Sequence, residues 1–143
     1  MFRKVTETLY ASPQIAVEDV EQARALGVRL IVNNRPEGES DDQTSGDVIA
    51  AAAGAAGIDY VAIPVTHSGF SHAQLDALNA ALEQVGDEGK VLAYCRSGTR
   101  STLLWALARA KAGEQPDALA AAAAAAGYDT APVRAMMDAL AGG

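Results

Sequence analysis

With 143 residues, half of them hydrophobic and only 5% aromatic, the chain can bury a core of Ala, Val, Leu and Ile in one domain, residues 1–143, without staples. Its 11 basic and 18 acidic residues give a formal charge of −7, which excludes a basic stripe for nucleic acid and disfavours polyanionic partners over most of the surface. One cysteine and two histidines supply neither an internal disulfide nor metal-ligand spacing, so no metal or cofactor is expected.

In chain order, Met1-Phe2-Arg3-Lys4-Val5-Thr6 lacks the apolar centre of a signal peptide, and no stretch approaches ~20 apolar residues. The expectation is a soluble, cytoplasmic protein with no membrane contact. Residues 8–11 predict a short extended piece before Ser12-Pro13. Residues 17–26 carry Val17, Val20, Ala23 and Leu26 at helical spacing and stop at Gly27, a C-terminal helix signal. Residues 28–32 predict a buried strand that empties into the polar loop 33–39. Residues 47–56 predict an alanine-rich helix closed by Gly57. Residues 59–65 predict a strand broken by Pro64 and followed by the loop 66–70. Ser71 caps a predicted helix to about Val85, with Leu75, Leu78 and Leu82 on one face. Residues 90–94 predict the central strand, and residues 99–112 a helix that turns Leu103, Leu104 and Leu107 inward. Two short helices follow near 116–126 and 132–140; Trp105 and Met136-Met137 fall at packing positions.

Strands that alternate with helices predict an α/β fold, a parallel sheet of four to five strands flanked by helices. Ligands of such sheets bind beyond the carboxyl ends of the strands. The loops 33–39, 66–70 and 95–100 all lie at that edge.

The lone cysteine stands where the central strand runs into a helix: Val91-Leu92-Ala93-Tyr94-Cys95-Arg96-Ser97-Gly98-Thr99-Arg100-Ser101. A helix N-terminus carries partial positive charge and unpaired N–H groups, which favour a thiolate and cradle an oxyanion. A lone cysteine is more commonly a small buried hydrophobe, but that role has no use for the Arg-Ser-Gly-Thr-Arg-Ser that follows. Cys95 is therefore read as the nucleophile. Arg100 offers an oxyanion a planar fork of donors. Ser101 can cap the helix, donate to the sulfur, or do both. Arg96, Ser97, Gly98 and Thr99 complete an anion-binding loop, and Gly98 supplies the unusual dihedrals that such a loop needs. His67 is a candidate acid or base against a plain solvated role; Arg35 and Glu37 either touch substrate or brace their loop. His72 faces solvent in the first turn of its helix.

Four blocks in one order now point to a family: Leu9-Tyr10-Ala11-Ser12-Pro13-Gln14, Ile31-Val32-Asn33-Asn34-Arg35-Pro36-Glu37-Gly38-Glu39, Tyr60-Val61-Ala62-Ile63-Pro64-Val65, and the cysteine segment 94–101. Over about residues 3–112 the chain resembles the phosphatase-like domain family of the beta-lactamase-hydrolase-like protein. Those are small bacterial proteins with the dual-specificity tyrosine phosphatase fold, to which sulfur transfer has also been assigned. The resemblance implies a Cys95 nucleophile, an Arg100 oxyanion holder and a role for Ser101.

Two departures matter. Tyrosine phosphatases place five residues between the cysteine and the arginine, whereas four separate Cys95 from Arg100, so that Cys-Arg-Ser-Gly-Thr-Arg looks like the six-residue loop of rhodanese sulfurtransferases. Dual-specificity phosphatases also carry an acidic aspartate on the loop that corresponds to Thr66-His67-Ser68-Gly69-Phe70, which has none; Asp59 and Asp76 are the distant alternatives. The leading expectation is a cysteine-dependent phosphatase-like hydrolase acting on phosphate esters. Its alternative is a rhodanese-like sulfurtransferase carrying a persulfide on Cys95, and the third is a non-catalytic anion-binding module. Each takes a small anionic partner, a phosphate ester or a sulfane-sulfur donor.

Overall fold

The computed structural model describes residues 1–142. Five strands, β1 (Arg3–Lys4), β2 (Leu9–Ser12), β3 (Val28–Asn33), β4 (Asp59–Ala62) and β5 (Lys90–Tyr94), form one sheet in the order β1-β2-β5-β3-β4. The helices are α1 (Val17–Ala25), α2 (Gly46–Ala55), α3 (His72–Val85), α4 (Thr99–Lys111), α5 (Pro116–Ala125) and α6 (Arg134–Gly142), the last preceded by a 3₁₀ turn at Ala131–Val133. β2, β5, β3 and β4 pair in parallel, as the alternation of strands and helices predicts. β1 corrects a wholly parallel expectation, because it pairs antiparallel with β2. The cause is local: the Thr6 hydroxyl accepts from the amides of Thr8 (3.2 Å) and Leu9 (3.0 Å), closing a hairpin too short for a parallel crossover.

The two-residue side-chain period of the strands divides the core. Ile31, Leu92 and Tyr94 point to one face, where Val20 and Ala23 of α1, Ile49 and Ala53 of α2, and Ile15 just before α1 cover them. Leu30, Val32, Val91 and Ala93 point to the other, under α3, α4, α5 and α6. With both faces covered, β3 and β5 read as nearly continuous apolar runs. α4 lies inside this second layer, with Ser101 to Ala108 and Ala110 all buried.

Several boundaries have chemical causes. Ser71 Oγ accepts from the Gln74 amide (3.3 Å) while Gln74 Oε1 accepts from the Ser71 amide (2.9 Å), a reciprocal cap at the head of α3. Pro64 ends β4 early, since it has no N–H for the ladder. The amides of Ile63 and Val65 nevertheless donate to Asn33 O and Asn34 O, both at 2.9 Å, so the chain stays beside β3 past the proline. Leu82 is only half-buried, unlike Leu75 and Leu78. Of the two adjacent methionines, Met137 is fully buried and Met136 is 43% exposed. Neighbours on a helix diverge too far for both to face the core.

Candidate active site

β5 delivers Cys95 to the carboxyl edge of the sheet, where the Cys95 amide donates to Ser12 O at 3.3 Å. The chain then turns through 95–98 into α4. Gly98, the residue before the first helical turn, has φ 93°, a conformation that glycine alone adopts readily. Space imposes the same choice, because a Cβ there would lie 2.2 Å from Tyr128 Oη and 3.3 Å from the Ser12 carbonyl carbon. The Gly98 amide donates to Cys95 Sγ at 3.1 Å. Cys95 is 0% exposed, which by itself would suit a core cysteine. An amide aimed at the sulfur from a helix head and a guanidinium beside it are what distinguish this position.

That guanidinium is Arg100. Its Nη1 donates to Glu39 Oε2 (2.7 Å) and Val65 O (2.7 Å), and its Nη2 donates to Glu39 Oε1 (2.8 Å). The fork-on-fork geometry is the one that arginine uses for any two-oxygen anion. Glu39 also accepts from Arg35 Nε at 3.0 Å. These bonds, Arg100 first, outweigh the cost of partial burial and bring the Glu39 carboxyl down to about 2. Glu39 in turn raises the basicity of Arg100, with Cys95 adding to the effect against the opposing cost of burial. Loops 33–39 and 95–100 are thereby joined, at the point where β4 hands over to loop 66–70.

Arg35 is 4% exposed, and its remaining donors go to Gln14 Oε1 (3.0 Å) and Ser40 Oγ (3.1 Å). In this arrangement it braces its own loop. Glu37 does likewise, accepting the Gly46 amide at the head of α2 on both oxygens, at 3.0 and 3.1 Å. Ser97 Oγ donates to Thr99 Oγ1 (3.0 Å) and accepts from the Thr99 amide (3.3 Å), which shapes the rim of the loop. Arg96, Ser97 and Thr99 are exposed. The Arg96 charge reaches Asp42, whose carboxyl lies below its ordinary value chiefly through the Ser40 hydroxyl.

Ser101, 1% exposed, sits inside the first turn of α4 with a buried hydroxyl that has no hydrogen-bond partner among the described residues. It does not cap the helix; Thr102 holds that turn by donating from Oγ1 (2.9 Å) and its amide (3.0 Å) to Gly98 O. His67 is exposed in the turn 66–69, close in sequence to the Val65 carbonyl that Arg100 holds. Asp76 and His72 share Lys111 at 2.7 and 3.0 Å on the surface between α3 and α4. Asp59 opens β4 and so lies at the amino edge of the sheet, away from Cys95. Among the described residues no three His, Cys, Asp or Glu side chains converge on a metal site, and no described helix is long and apolar enough to cross a membrane.

Sequence reasoning placed Glu39 in a loop at the correct edge without seeing that it clamps Arg100, and it missed Tyr128 altogether. The available signal for Glu39 was a carboxylate on the polar loop that faces an arginine-bearing loop. Tyr128 had none beyond being an aromatic in an aromatic-poor chain.

The family model described as beta-lactamase hydrolase-like protein, phosphatase-like domain, matches residues 1–113. A beta-lactamase hydrolase-like protein of Agrobacterium fabrum is 34% identical over 110 residues, covering 77% of this chain and 25% of that protein. The chain thus spans about a quarter of the length of the curated relatives it matches. A crystal structure of a "putative phosphatase" from Neisseria meningitidis superposes with a TM-score of 0.82 at 34% identity, covering 96% of each chain. The crystal structure of PTPMT1 shares the fold, with a TM-score of 0.75 at 13% identity over 99% of this chain and 97% of that one.

Proposed function

The chain belongs to the family of the beta-lactamase hydrolase-like protein, phosphatase-like domain, with the fold of tyrosine phosphatase-like enzymes, and from that membership we propose that it is a cysteine-dependent hydrolase of phosphate esters. The Cys95 thiolate attacks phosphorus, the ester P–O bond breaks, the leaving oxygen departs as an alkoxide or phenoxide that takes its proton from water, and the phosphoryl group passes to sulfur. Water then hydrolyses the phosphocysteine to inorganic phosphate and free thiolate. The N–H groups of residues 96–101, with the Arg100 donors that Glu39 and Val65 do not take (Nε–H and the second Nη2–H), hold the phosphoryl oxygens as charge develops on them.

The observation that carries this reading is the Gly98 amide directed at Cys95 Sγ from 3.1 Å at the head of α4. It supports a sulfur held for attack rather than one merely packed. Glu39 supports the role of Arg100 by holding the guanidinium extended between the loops, which leaves its Nε–H and second Nη2–H for a bound anion. Ser101 follows Arg100 with a free buried hydroxyl, which suits a donor to the sulfur when it leaves in the second step.

Loop 66–70 carries no carboxyl, and Asp76 is tied to Lys111. A positioned general acid is worth about 10²–10⁴-fold in rate, so its absence favours aryl phosphates, whose leaving groups need little protonation. The same absence, with the four-residue spacing between Cys95 and Arg100, favours a second reading: the Cys95 thiolate takes the outer sulfur of a donor such as thiosulfate, the donor S–S bond breaks and sulfite leaves, and the persulfide passes that sulfur to a nucleophile such as cyanide, regenerating the thiolate. One paired assay separates the two. The protein and its Cys95→Ser variant are given an aryl phosphate, and separately thiosulfate with cyanide. Cys95-dependent phosphate release without thiocyanate is the expected result; Cys95-dependent thiocyanate without phosphate release selects sulfur transfer.

A further inference from the structure

The Ser97–Gly98 peptide unit is held at both ends. Its N–H donates to Cys95 Sγ at 3.1 Å, and its carbonyl oxygen accepts from Tyr128 Oη at 3.3 Å. The two groups lie in one peptide plane and point in opposite directions, so fixing the carbonyl fixes the amide. A hydrogen bond to a peptide oxygen also polarises the N–H of the same unit, which strengthens its own donation.

Tyr128 is itself fixed with care. The ring is 6% exposed and lies against Gly98, where a side chain would displace the hydroxyl. The Arg3 guanidinium stands over the ring, 5.3 Å from its centroid, while Arg3 Nη1 donates to Ala126 O at 3.1 Å. Gly127 leaves room for that approach, since a Cβ there would meet Arg3 Nη1 at 2.4 Å. Tyr128 thus reaches the loop from beyond residues 1–113, the part that the family model matches, and Arg3 in β1 holds it from the far edge of the sheet.

We propose that Tyr128 is a positioning residue for the cysteine loop: its hydroxyl orients and polarises the Ser97–Gly98 peptide whose amide holds the Cys95 sulfur. The geometric claim stands without the phosphatase reading; only its consequence for turnover rests on that reading.

The test compares the ¹⁵N-labelled 143-residue wild-type chain with Tyr128→Phe, which keeps the ring and removes the hydroxyl. The Gly98 amide proton is expected to move upfield in the variant, while the amides of Leu104 and Leu107, farther along α4, stay in place. With an aryl phosphate, kcat is expected to fall about 3- to 10-fold at unchanged KM, the scale of one hydrogen bond worth ~1 kcal/mol. Arg3→Met keeps the hydroxyl but frees the ring, and it should move the Gly98 resonance in the same direction by less; it carries the test if Tyr128→Phe does not fold. A Gly98 amide unmoved in a folded Tyr128→Phe protein overturns the proposal. A wild type without turnover would count against the phosphatase reading alone, since the Gly98 resonance still decides the positioning role.

Discussion

Glu39 binds Arg100 through both carboxylate oxygens and Arg35 through one of them, so its ionisation is linked to how firmly two loops are tied. The folded chain holds its carboxyl at about 2 against an ordinary 4.5. A carboxyl depressed by folding confers stability that is complete above the ordinary value and is lost as pH falls through the folded one. The urea midpoint of the wild type should therefore decline between about pH 4.5 and about 2 more steeply than that of Glu39→Gln. Parallel slopes would show that the clamp contributes nothing. Legibility at this scale followed sequence distance. Cys95 and Gly98 could be read as a pair because strand, turn and helix are contiguous. The Arg100–Glu39 pair spans 61 residues and the Tyr128–Ser97 bond 31, so both depend on how the elements pack, which spacing does not encode.

α4 shows how an element can be legible in outline and opaque in its setting. Leu103, Leu104 and Leu107 at helical spacing announce an inward face, yet the helix is buried nearly all round, because α3 on one side and α5 and α6 on the other enclose it. Alanine-rich helices carry little periodic contrast, so their faces are weakly marked in sequence. The adjacent methionines of α6 make the point testable. Met137→Ala leaves a cavity in the core and should cost about 2–5 kcal/mol. Met136→Ala removes an exposed side chain and should stay within about 0.5 kcal/mol. Chemical denaturation of both variants checks this; equal losses would mean that α6 packs differently. β1 escaped notice for another reason: two residues are too few to set up any alternation, and its pairing is written in the Thr6 hydroxyl instead.

For the whole molecule, the strand order decides where chemistry can occur. β5 lies between β2 and β3, so Cys95 emerges at the middle of the carboxyl edge, with loop 33–39 on one side and the Ser12 turn on the other. Alternating strands and helices made that much readable from the residues. The contribution of the last thirty residues was not readable, since α5 and α6 carry no site motif and act by covering α4 and by presenting Tyr128. The most direct measurement is rapid-quench mass spectrometry of the Cys95-containing peptide during turnover of an aryl phosphate. The account predicts a phosphoryl group on Cys95 that appears and decays with turnover and is absent in Cys95→Ser. Turnover with Cys95 unmodified throughout, or a single sulfur atom on Cys95 in place of the phosphoryl group, would contradict it.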